Sequence, residues 1–145
     1  MASVFTRIIR RELPAEIILE TAGEIALLDH FPSTPGHTLV VPKREVQHFD
    51  ELPTDEMQAL MLAVHAVARG VVRGLATPHY NLILNNGAPA GQVIPHVHVH
   101  IMPRWPGQPR ERRPLPPEQA RETGRLLRQA LRELGVAGVP AEPGV

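Results

Sequence analysis

Apolar positions in the first third of the chain come in short runs bounded by polar or turn-forming residues, the rhythm of strands and not of helices. Residues 16–20 (Glu-Ile-Ile-Leu-Glu) and 24–29 (Glu-Ile-Ala-Leu-Leu-Asp) are separated only by Thr21, Ala22 and Gly23, which predicts a hairpin. A third run at 37–42 is opened by the turn signal Pro32-Ser33-Thr34-Pro35-Gly36 and stopped by Pro42. Three such neighbours predict an antiparallel meander. From Thr54 the period lengthens: Met57, Leu60, Met61, Val64, Ala68, Val71, Val72 and Leu75 recur at intervals of three and four. Thr54 suits an N-cap, and Asp55 and Glu56 suit the positive end of the dipole, so a long core helix is expected. Two further strands are expected at 79–85 and 97–102, joined by a loop at 86–92 rich in residues that free or lock the backbone. A second helix is expected from Pro116 to about Leu134, with prolines at its start and Gly135 just past its end. Its apolar stripe is Leu127, Ala130, Leu131 and Leu134, and Arg121, Arg125, Arg128 and Arg132 read as a solvated basic face of a docking helix.

With 145 residues, 43% of them hydrophobic, the chain has one domain's worth of length and enough apolar material for a core, which excludes a disordered protein. The absence of cysteine excludes a disulfide scaffold, a thiolate nucleophile, iron–sulfur ligation and every zinc site built on Cys. Fifteen basic side chains balance 15 acidic ones, which makes nucleic acid an unlikely partner and a small molecule the better one. The balance is uneven along the chain: residues 1–102 hold 7 basic and 10 acidic side chains, whereas 103–145 hold 8 and 5, together with 8 of the 16 prolines. A boundary is therefore expected near 103, with a body at 1–103 and a Pro/Arg-rich extension carrying one helix at 104–145. No apolar stretch reaches the roughly 18 residues of a membrane span. Arg7, Arg10, Arg11, Glu12 and Glu16 stand where a signal peptide would have its apolar core, so a soluble, cytoplasmic protein is expected. A single lysine among 14 arginines is the bias expected of a GC-rich bacterial genome.

The chemistry concentrates in His96-Val97-His98-Val99-His100-Ile101-Met102. Strand alternation turns Val97, Val99 and Ile101 to the core and His96, His98 and His100 to one other face, with their imidazoles about 6–7 Å apart. Such a row has three readings. It is the polar face of an ordinary strand, or a metal site to which His37 adds a fourth nitrogen, although no Asp or Glu occurs between Glu56 and Glu111. In the third and preferred reading, a neutral imidazole attacks an α-phosphate in line, forms a phosphoramidate and is released by water. Loop amides, Asn85, Gln92 and the flanking histidines then supply donors for the developing charge, and no cofactor is required. His98, the central residue, is the natural nucleophile.

At these residues the chain resembles the histidine triad (HIT) family, whose signature is His-φ-His-φ-His-φ-φ with φ hydrophobic; His96 to Met102 matches every position. The likeness extends to Phe5 through Ala15, to Ala26 through Pro42 with its Pro-Gly-His-Thr-Leu-Val-Val-Pro core, and to Gly91-Gln92, where the family has its phosphate loop. It covers residues 4–105. The resemblance implies a bacterial Hint-like or Fhit-like nucleotide hydrolase or transferase in which His98 becomes nucleotidylated. His96 and His37 would surround and orient it, and His100 would hydrogen-bond the phosphate or the leaving group. Asn85, Gly91 and Gln92 would contact phosphates, Asp29 would bind the ribose, and Leu13, Leu27 and His30 would line the base pocket. The implied substrate is a purine nucleotide with an activated α-phosphate, either a nucleoside phosphoramidate or a dinucleoside polyphosphate. A non-catalytic nucleotide sensor and a zinc-dependent hydrolase on the histidine strand stay open as alternatives. The implied fold is α+β: an antiparallel sheet of about five strands, one long helix and a C-terminal helix, in a two-fold homodimer whose sheet continues across the interface. Two departures stand out. The Cys-based zinc site of many bacterial relatives cannot form here, and Val93 replaces a hydroxyl residue after the loop Gln, removing one hydrogen bond to phosphate or leaving group.

Overall fold

The computed structural model describes residues 1–141, so the end of the expected extension, 142–145, lies outside the described residues. Five strands, β1 (Ile17–Glu20), β2 (Glu24–Leu28), β3 (Thr38–Pro42), β4 (Tyr80–Ile83) and β5 (Val99–Pro103), form one antiparallel sheet in the order β1-β2-β3-β5-β4. The meander β1-β2-β3 is the expected one. β5 then inserts between β3 and β4, which leaves β4 at the edge. Three helices, α1 (Val4–Ile9), α2 (Thr54–Gly74) and α3 (Pro117–Glu133), complete the α+β fold.

Period-two alternation divides the sheet into two apolar faces. Ala26, Leu28, Val40, Val99 and Ile101 point to one side and pack with Leu60, Val64, Val67 and Val71 of α2. Ile17, Ile25, Leu27, Leu39 and Val41 point to the other, where Phe5 and Ile8 of α1 cover them. Across this second face Ile17 pairs with Leu27, Leu27 with Leu39, Leu39 with His100 and His100 with Ile83. His100 therefore occupies a site in an otherwise apolar row. The short helix α1 was not foreseen, because six residues are too few to display a period; Ser3 caps it, accepting from the Thr6 N–H at 3.1 Å.

Differences from the expected elements have physical causes. α2 begins with Thr54 as its first helical residue and Pro53 as the flanking one, and Thr54 makes no cap. Its buried face includes Ala63 and Val67, while Met61 and Val72 are 40% and 38% exposed. The histidine run enters the ladder only at Val99. Beyond residue 103 the chain does not pack as a separate unit: Leu127 and Leu131 of α3 are fully buried in the same core as α2. The basic stripe of α3 is corrected at Arg128, which is 1% exposed and donates to Glu16 Oε1 at 2.8 Å and to the Ile17 carbonyl at 3.0 Å. A helix face with one buried cation matched to one carboxylate is not a solvated stripe.

Candidate active site

β5 and the segment leading into it bring the histidines to the α1 side of the sheet because Val97, Val99 and Ile101 are claimed by the α2 side. The rings do not remain exposed: His96 is 0%, His98 7% and His37 3% accessible. His37 comes from the turn that opens β3, and its Nε2 lies 2.9 Å from Nδ1 of His100. The His98 ring contacts His100 at 4.9 Å between centroids and Phe5 of α1 at 5.1 Å. His96 reaches His98 through its backbone carbonyl, so the expectation of an imidazole on both sides of His98 holds on one side. His96 precedes the ladder, and its ring turns away toward Ser3 and Pro42.

Partners that can play only one role fix the tautomer of each ring. The Ser33 backbone N–H donates to His37 Nδ1 at 3.0 Å, so Nε2 of His37 carries the proton and donates to His100 Nδ1. His100 then presents Nε2–H. His98 donates Nδ1–H to the His96 carbonyl at 2.7 Å, which leaves its Nε2 with a lone pair. His96 donates Nε2–H to the Pro42 carbonyl at 2.7 Å, and its Nδ1 accepts from the Ser3 hydroxyl at 2.6 Å. Glu45 Oε1 completes this layer, accepting from the Ser3 N–H at 2.8 Å and from the Thr6 hydroxyl at 2.5 Å. Burial is the main cause that lowers the pKa of all four imidazoles below the ordinary 6.5. His100 falls furthest, to about 4, because the neighbouring His98 and His37 add to the desolvation. Neutral rings and the assigned tautomers are therefore consistent with each other near pH 7.

His37, His98 and His100 line a cavity of about 420 Å³ together with Asp29, His30, Leu27, Asn85 and Gly91. Asp29 is held by an Asx turn, Oδ1 accepting from the Phe31 N–H at 2.9 Å, and its Oδ2 lies 3.7 Å from His37 Nε2. Phe5, Ile8, Leu39, Ile83 and Ile94 supply apolar wall. A second cavity, of about 390 Å³, shares Val4, Ile8, Leu27, Leu28 and His30 with the first and holds Leu13. Gly91 sits at φ +100, a left-handed conformation that favours glycine. Gln92, expected at the phosphates, is not among the residues that line the cavity. It is buried, its Oε1 accepts from the Gly87 N–H at 2.7 Å, and its Nε2 donates to the Gln47 carbonyl at 2.9 Å, so its amide pins the loop at 86–92 to the segment before α2. Val93 is 85% exposed at the cavity mouth. Sequence reasoning missed Ser3, Glu45, Phe5 and Phe31, and also Arg110 and Arg112, which reach the cavity from the extension.

Asp29, His37 and His100 bring ligand atoms within 4.8 Å of one another. Both ring nitrogens of His37 and Nδ1 of His100 are already engaged in hydrogen bonds, as are both nitrogens of His96. A metal ion held by Asp29, His37 and His100 would have to displace the hydrogen bonds at His37 and shift the His100 proton.

A family model described as the HIT domain matches residues 10–107. An adenylylsulfatase of Arabidopsis thaliana is 38% identical over 101 residues, which are 70% of this chain and 51% of that longer protein. An adenosine 5'-monophosphoramidase of Schizosaccharomyces pombe is 32% identical, over 86% of this chain and 94% of its own length. Among solved structures, a zinc-bound histidine triad family protein from Mycobacterium smegmatis superposes with a TM-score of 0.82 at 37% identity, covering 93% of this chain and 96% of that one.

Proposed function

The chain belongs to the HIT domain family, and on that premise we propose that it is a nucleotidyl hydrolase or transferase that cleaves the α-phosphate bond of purine nucleotide derivatives through a covalent intermediate on His98. The observation that carries this reading is the His98 hydrogen bond to the His96 carbonyl, which commits Nδ1 as donor and leaves Nε2 as the unprotonated atom of a cavity-lining ring. In the first step the Nε2 lone pair attacks the α-phosphorus, the bond from phosphorus to the leaving group breaks, and the leaving group takes that electron pair. The ring becomes a nucleotidylated imidazolium whose Nδ1–H still faces a carbonyl oxygen, so its charge is met by a fixed dipole. Water then attacks phosphorus, the imidazole departs neutral at Nε2, and one proton is released with the nucleoside monophosphate. His100 Nε2–H and Asn85 are the side-chain donors for the non-bridging oxygens. Asp29 takes the ribose hydroxyls, while Leu27, His30 and Leu13 accept the base in the two adjoining cavities. No cofactor enters these steps.

Relatives named as an adenylylsulfatase and as an adenosine 5'-monophosphoramidase support the reaction class. The functional unit in this reading is a two-fold homodimer joined along the β4 edge, where Tyr80 and Leu82 are 38% and 48% exposed. The test is turnover of an adenosine phosphoramidate, adenylyl sulfate and a diadenosine polyphosphate, with acid quenching to trap the acid-labile nucleotidyl-protein. His98→Asn is expected to lower kcat by about 10³-fold or more on every substrate and to abolish the trapped adduct. Unchanged turnover by that variant overturns the mechanism, and tight binding of a nucleoside monophosphate with no turnover by the native protein would make it a sensor.

A further inference from the structure

The extension carries a feature that the reaction described above does not use. After β5 the chain turns at Trp105 to Gln108 and runs back, extended, along the segment 30–33. Alternate backbone amides tie it down: Glu111 N–H donates to the Ser33 carbonyl at 2.8 Å, Arg113 to the Pro32 carbonyl at 3.4 Å and Leu115 to the His30 carbonyl at 2.9 Å. Alternation therefore separates its side chains. Glu111 and Arg113 pair with each other and line an outer groove, whereas Arg110 and Arg112 line the histidine cavity. Arg112 donates Nε–H to the Phe31 carbonyl at 3.2 Å and lies 6.0 Å from the Phe31 ring centre, an arrangement that holds the guanidinium while leaving its terminal nitrogens available. Arg110 makes no hydrogen bond or ion pair among the described residues. Both cations lie close enough to His37 to lower its pKa, and Arg112 also acts on His100.

Charge balance decides what two such cations are for. Asp29 is the one carboxylate lining the cavity among the described residues, and burial favours the neutral form of the histidines. An α-phosphodiester carries one negative charge, which His100, Asn85 and loop amides can meet by hydrogen bonding. Two further guanidiniums are surplus for a departing amine, which they repel once it is protonated, and suited to a departing oxyanion. We propose that Arg110 and Arg112 form the leaving-group site and that the substrate is a nucleotide whose α-phosphate is joined to an oxyanion of the phosphate or sulfate class. This inference rests on His98 as nucleophile for its catalytic part, but the anion site is testable without turnover.

Two measurements separate these. The first is the ratio of kcat/KM for adenylyl sulfate, and for a diadenosine polyphosphate, to that for an adenosine phosphoramidate. Because a poorly folded fraction lowers both terms equally, the ratio reads specificity alone. It is expected to exceed one in the native protein and to fall at least about tenfold in Arg110→Gln/Arg112→Gln, the loss of a charge-assisted contact. The two oxyanion substrates distinguish sulfate from a phosphate chain as the preferred leaving group. The second is calorimetric binding of AMP and of α,β-methylene-ADP, whose extra phosphonate occupies the leaving-group position. The native protein is expected to prefer the second ligand by at least about tenfold, and the double variant to lose that preference. An unmoved ratio, or equal affinity for the two ligands in the native protein, overturns the proposal. A native protein that binds with this preference but turns over nothing keeps the anion site and overturns the nucleophile.

Discussion

Four neutral imidazoles work as a set because each is held by a hydrogen-bond partner that fixes its tautomer. The carbonyl acceptor at His98 Nδ1 leaves that ring a lone pair on Nε2, and the His37 donor at His100 Nδ1 leaves the next ring a proton on Nε2, with both rings lining the same cavity. Since the attacking ring must be unprotonated and burial lowers its pKa, the acid limb of kcat/KM is expected below pH 6.5. Activity should hold as pH falls through the ordinary imidazole range and decline only through the lowered value; a midpoint at or above 6.5 in a pH–rate profile would contradict this. The Ser3 hydroxyl satisfies Nδ1 of the fully buried His96. Ser3→Ala leaves that nitrogen without a donor and is expected to destabilise the fold by about 1–3 kcal/mol in denaturant unfolding, with Ser3→Thr, which keeps the hydroxyl, recovering most of it. The triad and His37 were legible in the sequence because their spacing is local or matched a family segment. The Ser3 to His96 contact spans 93 positions and carries no local signal.

Among the elements, the strands were the most legible, since alternation is a direct image of which side of a sheet each residue faces. Their ends were less so: β5 starts at Val99, where pairing with Val40 begins, and no residue type marks that point. Gln92 shows the same limit. A glutamine in a Gly-rich loop is a natural phosphate ligand, and its amide is also bound by the Gly87 and Gln47 backbone, a partnership that only the folded loop creates. The contact between α2 and α3 was foreseen as a docking helix but not in its closeness. A Cβ added at Gly74 of α2 would lie 2.9 Å from the Leu126 carbonyl oxygen and 3.2 Å from Ala130 Cβ. Backbone cannot yield as a side-chain tip does, so Gly74→Ala is expected to cost about 1–3 kcal/mol despite the better helix propensity of alanine. Calorimetric unfolding checks the sign, and a stabilised variant would show that α3 is free to move away.

For the molecule as a whole, composition changes at residue 103, but it does not show how closely the extension packs on the body. Prolines and arginines end the ladder, and yet α3 returns to the central core through Leu127, Leu131 and the buried Arg128 to Glu16 pair. Long-range closure of this kind leaves little trace in a local pattern. The sheet remains open at β4, and an edge strand bearing Tyr80 and Leu82 is an unprotected template for pairing. Light scattering during gel filtration is expected to report twice the chain mass for the native protein and a single chain mass for Leu82→Arg; a monomeric native protein would refute the proposed assembly.

Trp105, the single tryptophan of the sequence, stands at the turn from which the arginine-bearing strand departs. The molecule thus carries its own optical reporter at the base of the segment that backbone hydrogen bonds hold against residues 30–33. Intrinsic emission followed during denaturant unfolding should therefore register the loss of that seam without any attached dye.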